Sequence, residues 1–295
     1  MSVSRSTPAG RVYGDLQKQA RAEKRPVQEL FQLYLLEAFL DRLSRSVWSD
    51  ELVLKGGVLL AAFGTRRPTR DVDLQAKALD NAEEAVKARV VEVASMALDD
   101  GIAFDGDGAE ATVIRDEDVY PGVRVSMGAT LGTAQLRFHV DVNVGDPIVP
   151  PPVLVRLPRL LGGSLEIRGF PLEMIHAEKI VTAVSRGSAN TRWRDFVDVV
   201  ALAAKHAIDG DALVGSIRRV AEHRKVDLVP VSAAVSGIEV VADRRWPAWR
   251  RKQSLEHATP AAFSELLADY LAFAEPAVSG AAVGARWDPD QRVWR

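Results

Sequence analysis

The chain has 295 residues, of which 47% are hydrophobic and 26% charged, a composition typical of a globular protein with a packed core. It contains no cysteine, which excludes disulfides, thiolate metal sites and cysteine nucleophiles and is compatible with a reducing cytoplasm. The formal net charge of −2 provides no general attraction to nucleic acid, so any RNA contact has to come from a local basic patch. No apolar run approaches the ~20 residues of a membrane span, so we expect a soluble, cytoplasmic protein without a membrane partner.

The beginning of the chain carries two helical patterns, and we predict an N-terminal helical segment over residues 1–50. The first pattern, over 11–24, is polar and basic. The second runs over 27–46 after Pro26, which suits the first turn of a helix. Leucines recur in it at steps of three and four residues, at Leu30, Leu33, Leu36, Leu40 and Leu43. This periodicity predicts a buried helix that serves packing.

Two aspartates flank a valine at the end of the most distinctive stretch, residues 52–74. If residues 70–74 form a strand, Asp71 and Asp73 project to one side of it. Two carboxylates that share one small volume without a cation repel each other, and one of them would stay protonated. The pair therefore predicts a divalent metal site.

The same stretch contains a pair of glycines, Gly56 and Gly57, between an apolar run and a helical pattern. Glycines that open a helix leave backbone N–H groups able to meet phosphate, and Lys55 and Arg70 add positive charge nearby. Phosphate binding beside a metal site indicates a nucleotide.

A helix and a hairpin are predicted after this stretch. Residues 79–84 supply a helix cap, and the helix runs over 82–98. The Asp- and Gly-rich residues 105–108 are predicted to form a solvated loop. Two strands, 123–130 and 134–144, are close enough in sequence to pair as a hairpin.

The second strand of this hairpin alternates apolar and polar residues. One face carries Leu136, Phe138, Val140, Val142 and Val144, and the other carries Arg137, His139, Asp141 and Asn143. Asp141 therefore points out of the core, where it would supply a third carboxylate if this strand lies beside the one that bears Asp73. The alternative is the ordinary solvated face of a half-exposed sheet.

Three consecutive prolines in residues 145–152 cannot continue a central strand or a helix interior. We therefore end the sheet domain, residues 51–150, at this point and assign residues 151–295 to a mainly helical C-terminal domain. A short strand pair near 153–156 and 165–167 and helices over 171–186, 201–207, 212–223 and 261–274 are predicted within it.

Two helical patterns bring charges together. Lys179 and Arg186 lie on one stripe of the helix predicted over 171–186, and Asp195 and Asp198 begin a second helix that follows it. Surface ion pairs are the alternative for such charges.

A third group of residues combines cations with indole rings between positions 244 and 252. Guanidinium groups for phosphates and aromatic rings for unpaired bases suit a single-stranded RNA end. The alternative is a proline-broken loop whose tryptophans anchor it to the core. The candidate RNA-binding residues are Arg192, Arg194, Arg244, Arg245, Trp246, Trp249, Arg250 and Arg251.

A glycine pair, a spacer of about a dozen residues and Asp-hydrophobic-Asp resemble the signature of the DNA polymerase beta-like nucleotidyltransferase superfamily. The fuller form, Lys55-Gly-Gly and Arg67-Pro-Thr-Arg-Asp-Val-Asp-Leu74, looks like the AbiEii branch, which includes the MenT toxins of mycobacteria and toxins of type IV toxin–antitoxin systems. The downstream Glu-Lys, Arg and Arg-Asp-x-x-Asp pattern resembles a second motif of that family, in which the lysine and the final aspartate are functional.

The resemblance implies an α/β fold, with a small mixed-sheet nucleotidyltransferase core between N-terminal helices and a mainly helical C-terminal region. It also implies transfer of a nucleoside monophosphate from an NTP, with Mg²⁺, to the 3′ end of tRNA, which halts translation and growth, and a cognate antitoxin as partner. We expect a monomer whose active site lies between the sheet and the C-terminal helices. Two alternatives stay open: the same chemistry on a protein or small-molecule hydroxyl, and a non-catalytic RNA- or protein-binding module.

Each motif position receives an expected role on this basis. The metal ligands are Asp71 and Asp73, with Asp141 as the third acidic residue on a neighbouring strand. The catalytic set adds Lys179, which neutralises phosphate charge, and Asp198, which orients that lysine or the substrate. The nucleotide-binding residues are Lys55, Gly56, Gly57, Thr69, Arg70, Lys179, Arg186 and Asp195.

Overall fold

The computed structural model of the chain describes residues 4–66, 68–77, 82–114, 122–145 and 147–295. These residues form two compact units. The first takes in the described residues before 146 together with Pro152–Phe170, and the second consists of Pro147–Pro151 and Pro171–Arg295. The three segments predicted from the sequence, residues 1–50, 51–150 and 151–295, stay a prediction.

The first unit places helices around a sheet. Its described helices are α1 (Pro8–Glu23), α2 (Val27–Arg45), α3 (Gly56–Leu59) and α4 (Glu83–Ala94), and a 3₁₀ turn, Leu60–Phe63, follows α3. Its described strands are β1 (Leu52–Lys55), β2 (Val72–Ala76), β3 (Ile102–Ile114), β4 (Gly122–Leu131), β5 (Ala134–Val144), β6 (Val153–Pro158) and β7 (Ser164–Gly169).

The seven strands form one mixed sheet in the order β3-β4-β5-β2-β1-β7-β6. The central strand β2 pairs antiparallel with β1 and parallel with β5. The hairpin of β4 and β5 is antiparallel over its full length, as its short connection predicts. The mixed α/β fold class is therefore confirmed.

Helix α2 forms much of the core of the first unit. All five leucines of the predicted apolar pattern are buried, which confirms that helix. Its neighbour α1 begins at Pro8, earlier than predicted, because the Thr7 side chain accepts a hydrogen bond from the Gly10 N–H and Pro8 suits a first helical position.

Helix α4 is shorter than the predicted 82–98. Beyond Ala94 the chain leaves the helix, and the Met96 carbonyl accepts a hydrogen bond from Arg42 Nε at 2.8 Å instead of continuing the helical ladder. The helix has Ala82 at its N-cap. The predicted cap around 79–81 lies outside the described residues.

The predicted loop at 105–108 is wrong, because these residues lie within β3. Pairing with β4 passes from Asp105↔Gly128 to Glu110↔Ser126, so the extra residues form a bulge. The Asp105 carboxylate accepts a hydrogen bond from the Gly108 N–H at 3.1 Å, which closes the bulge locally.

The sheet does not end at the proline-rich segment. The predicted strand pair beyond it is confirmed as β6 and β7, and β7 joins the sheet through parallel pairing with β1 at Leu54↔Gly169. The prolines interrupt the strand, as predicted, but later residues return to the same sheet.

The second unit is mainly helical. Its described elements are α5 (Leu172–Arg186), α6 (Trp193–Ala203), α7 (Gly210–Arg224), α8 (Val231–Ala234), α9 (Ile238–Gln253), α10 (Phe263–Ser279), β8 (Trp287–Asp288) and β9 (Val293–Trp294), with a 3₁₀ turn at Gly187–Ala189. The predicted helices over 171–186, 212–223 and 261–274 are confirmed as α5, α7 and α10. A separate helix over 201–207 is wrong, since α6 ends at Ala203.

Aromatic residues form much of the core of this unit. Phe196 on α6 packs against Phe263 and Tyr270 on α10. Phe273 contacts Trp287 and Trp294, which fixes the short β8–β9 pair against α10. In the part of the chain that the structure describes, no helix has the length and apolarity required to cross a membrane.

Candidate active site

Four charged residues form one row across neighbouring strands of the sheet. Lys55 on β1 is in register with Asp73 on β2, and Asp73 is in register with Asp141 on β5. Asp141 is in turn opposite Arg124 on β4. Residues in register on adjacent strands point to the same face of a sheet, so the row reads cation, anion, anion, cation.

The glycine pair lies directly against one of these anions. Gly56 has a positive φ of 67°, and a Cβ at this position would lie 2.0 Å from Oδ2 of Asp73. The backbone N–H of Gly57 donates a hydrogen bond to the same carboxylate. A side chain at position 56 would displace Asp73, so the first glycine of the motif is required by the contact as well as by its backbone conformation.

The pKa of Asp73 is raised to about 6. Burial is the largest cause, and the negative charges of Asp141 and Asp71 act in the same direction, while Lys55 and the Gly57 N–H oppose them. The carboxylates crowd one another as the sequence predicts for this pair.

Arg124, which the sequence motifs do not include, holds Asp141. Its Nε donates to Oδ1 at 2.7 Å and its Nη2 to Oδ2 at 2.6 Å, and Nη2 also lies 3.5 Å from Oδ2 of Asp71. The hydrogen bonds to Asp141 raise the pKa of the guanidinium. The sequence analysis did not identify Arg124, although counting outward from the turn of the predicted hairpin would have paired it with Asp141.

The oxygen ligands at this position suit a divalent cation in kind. Asp71 and Asp73 are carboxylates whose mutual repulsion a hard cation would relieve. As arranged, both oxygens of Asp141 bind Arg124. Within the described ranges, no three or more His, Cys, Asp or Glu side chains are grouped so that they could hold a metal ion. Asp71 and Asp73 fit a divalent cation in donor chemistry and would hold the ion, whereas Asp141 would join them only once Arg124 releases its oxygens.

The remaining predicted residues of the first unit lie near this row in sequence but differ in exposure. Lys55 is buried, and its ammonium group lies 5.5 Å from the centre of the Phe170 ring. Arg70 is exposed, and its carbonyl accepts a hydrogen bond from Gln32 at 3.1 Å. Thr69 is half-buried and lines a small pocket together with Gly57.

The second unit contains a compact charged cluster of its own. Lys179 Nζ donates to Asp195 Oδ1 at 2.5 Å and to Asp198 Oδ2 at 2.9 Å, and Arg192 Nε donates to Asp195 Oδ2 at 2.9 Å. The side chains of Lys179, Asp195 and Asp198 are only 14%, 11% and 5% exposed. A solvated surface ion pair is therefore excluded for this lysine.

Electrostatics within this cluster keep it charged. Burial by itself would raise the pKa of Asp195, but Lys179 and Arg192 outweigh it and hold that pKa at about 2. Arg186 lies half-buried at the end of α5.

The predicted RNA-binding segment is a helix, α9, and not a loop broken by Pro247. Trp246 is fully buried, stacks on Trp249 at 5.0 Å and donates through Nε1 to the Pro260 carbonyl. Arg250 Nε donates to Thr259 Oγ1 at 2.9 Å. These anchors on both sides of the proline keep the helix in place.

The burial of Trp246 excludes its predicted stacking on a base in this structure, because no face of the ring is open. Arg250 is likewise used to hold the segment between α9 and α10. Arg244, Arg245 and Arg251 are exposed, as is Arg192, which also pairs with Asp195. Trp249 and Arg194 are half-buried.

Residues 38–288 match the model of a protein family described as nucleotidyl transferase AbiEii toxin, type IV TA system. A solved structure of a candidate nucleotidyltransferase from H. pylori is 15% identical, with a TM-score of 0.49, and the match covers 86% of this chain and 96% of that chain. The structure of JHP933 from Helicobacter pylori is 16% identical, with a TM-score of 0.39, covering 78% and 97%. No curated protein matches the chain significantly.

Proposed function

Since this chain belongs to the AbiEii family of nucleotidyltransferase toxins of type IV toxin–antitoxin systems, we propose that it transfers a nucleoside monophosphate from an NTP to the 3′ end of tRNA. The family implies an NTP substrate and an antitoxin partner. Transfer to this end would block aminoacylation and so stop translation and growth. We further propose that the toxin acts as a monomer.

One observation carries the proposal. Asp73 lies in register with Asp141, accepts a hydrogen bond from the Gly57 N–H and lies so close to Gly56 that a Cβ there would clash with it. A carboxylate so crowded is poorly placed for a purely structural role, because its negative charge is destabilised by burial and by its neighbours. A site for a polyvalent cation and a phosphate chain explains why the charges are collected here.

We assign Mg²⁺ to Asp71 and Asp73, with Asp141 as the third carboxylate of the site. When bound, it would neutralise triphosphate charge and favour departure of pyrophosphate. The chain's own residues supply position: Gly57 and Lys55 hold Asp73, and Asp141 accepts the proton of the attacking hydroxyl. In nucleotidyl transfer the protein contributes little covalent chemistry. The rate enhancement comes mainly from the positioning of the substrates and from electrostatic stabilisation.

In the second unit, we propose that Lys179 binds the phosphates and that Asp195 and Asp198 orient it. The hydrogen bonds of 2.5 Å and 2.9 Å from its ammonium group support an orienting role. Arg186 would assist in binding the nucleotide. Exposed arginines of α9, Arg244, Arg245 and Arg251, would contact the phosphates of the RNA.

The experiment that tests the proposal incubates the toxin with each α-labelled NTP in turn, total RNA and cell protein. We expect label on tRNA with a preferred nucleotide, and we expect periodate oxidation of the RNA 3′ end beforehand to abolish it. Asp73→Asn, which keeps the side chain's size and removes its charge, should remove all labelling.

Other distributions of the label would contradict the proposal in distinct ways. Label on protein would favour a protein hydroxyl as acceptor, and label in the small-molecule fraction would favour a metabolite. Growth inhibition that survives Asp73→Asn with no labelling would indicate a non-catalytic binding module.

A further inference from the structure

Arg124 touches the acidic cluster but belongs to none of the sequence motifs. It lies on β4, one strand beyond Asp141, at the end of the charged row. The guanidinium binds both oxygens of Asp141 and approaches Asp71, so it connects two of the three carboxylates.

These contacts place a single positive charge where the proposed site requires a cation. A carboxylate whose two oxygens both accept hydrogen bonds from one guanidinium has few lone pairs left for another strong partner. A divalent cation that engages Asp141 together with Asp71 and Asp73 therefore competes with Arg124 for the same oxygens.

The exposure of the Arg124 side chain allows it to move away from Asp141. Its side chain is 39% exposed, whereas that of Asp141 is 12% exposed. Ion pairs with one partner in solvent contribute only modestly to stability, because water can replace the bonds of the exposed partner. The carboxylate thus stays fixed in the sheet while the cation beside it is exchangeable.

We propose that Arg124 is an internal counter-ion of the active site: it holds Asp141 in place until a divalent cation displaces it, and it thereby sets the cation concentration at which the site fills. This inference rests on the proposed metal-dependent nucleotidyl transfer. It adds to that reaction a positioning residue that acts through Asp141.

The test is the affinity of the full chain for Mn²⁺, measured by calorimetry without nucleotide. Replacing Arg124 by methionine removes the competitor, so Arg124→Met is expected to lower the Kd for Mn²⁺ by about tenfold. Arg124→Lys keeps the charge but loses the two-pronged bond, and it is expected to bind Mn²⁺ more tightly than the wild type, although less so than Arg124→Met.

Arg137→Met is the matched control. Arg137 is an exposed arginine on β5, the strand that carries Asp141 and pairs with the strand of Arg124, so this variant also removes one arginine charge from the hairpin. Its Mn²⁺ affinity is expected to stay within about twofold of the wild type, because a more distant exposed charge is screened.

Two further measurements keep the outcomes separate. Asp73→Asn, in the wild type and in Arg124→Met, should abolish Mn²⁺ binding. Thermal unfolding without Mn²⁺ reports whether Arg124→Met folds. If it does not fold, the Mn²⁺ affinity of Arg124→Lys tests the inference instead.

Asp73-dependent binding that is equal or weaker in the folded Arg124 variants would overturn this inference and leave the proposed function standing. Absence of Asp73-dependent binding in every variant would overturn the proposed metal chemistry and this inference with it.

Discussion

At the scale of single residues, Gly56 shows how a motif position acts through a contact. Gly56 has a positive φ, and a Cβ at this position would lie 2.0 Å from Asp73 Oδ2. Any side chain here must therefore move the carboxylate. We predict that Gly56→Ala abolishes labelling of tRNA and destabilises the fold by about 1–2 kcal/mol, measured by urea denaturation.

Gly215→Ala is the control for this change. Gly215 lies on the exposed face of α7, with nothing near the position of an added Cβ. The same substitution there should leave labelling intact and increase stability slightly, by about 0.5–1 kcal/mol. Equal effects at both glycines would contradict a specific role for the contact at position 56.

His176 is a buried base in the second unit without hydrogen-bond partners on either ring nitrogen among the described residues. Burial, aided by the charges of Lys179 and His206, lowers its pKa to about 3. In the unfolded chain the pKa of this histidine is about 6.5. At pH values between about 6.5 and about 3, the unfolded chain therefore binds a proton that the folded chain does not bind. The stability of the fold falls as the pH drops through this range.

We therefore predict that His176→Leu makes stability less dependent on pH. At pH 5 the histidine destabilises the fold by roughly 2 kcal/mol relative to pH 7.5, and the variant should lack this loss. Urea denaturation between pH 7.5 and 5 measures it, with exposed His257→Leu as the control for loss of a histidine. An unchanged pH slope in His176→Leu would show that the ring is not buried in its neutral form.

At the scale of elements, α5 and α6 are joined by the cluster of Lys179, Asp195 and Asp198. Removing the lysine takes a cationic partner from two buried carboxylates. We predict that Lys179→Met destabilises the fold by about 3 kcal/mol in chemical denaturation, because the loss of an ion-pair partner from a buried charge is strongly unfavourable.

Neutralising the two carboxylates should recover much of the lost stability. The triple variant Lys179→Met, Asp195→Asn, Asp198→Asn is therefore expected to be more stable than Lys179→Met alone. Lys87→Met removes a lysine from an exposed pair with Glu84 and should change stability by less than about 1 kcal/mol. If all three variants matched the wild type, the cluster would contribute to substrate binding alone.

The elements also show where local sequence patterns succeed and fail. Periodicity predicted α2, α5 and the β4–β5 hairpin, because apolar spacing determines which face is buried. The sequence patterns failed at residues 105–108, which were predicted as a loop, and they predicted no helix for α9, where a loop was the alternative to an RNA-binding segment. At residues 105–108, pairing of β3 with β4 around a bulge outweighed the preference of glycine for loops. In α9, the buried and hydrogen-bonded Trp246 outweighed the tendency of Pro247 to break a helix.

At the scale of the whole molecule, the sheet of the first unit collects strands from distant parts of the chain. The central strand β2 has β1 on one side and β5 on the other, and β7 enters beside β1 from beyond the proline run. This order brings Lys55, Asp73, Asp141 and Arg124 into one row, although the four residues are widely separated in sequence.

From the sequence alone, the family resemblance predicted the fold class, and periodicity and turn spacing, which are local properties, predicted most helices and the hairpin. Only the tertiary structure decided that Arg124 holds Asp141, that Gly56 touches Asp73 and that the Lys179 cluster is buried. These contacts depend on strand order, register and helix packing, which arise from burial across distant segments and are not specified by any single stretch of residues.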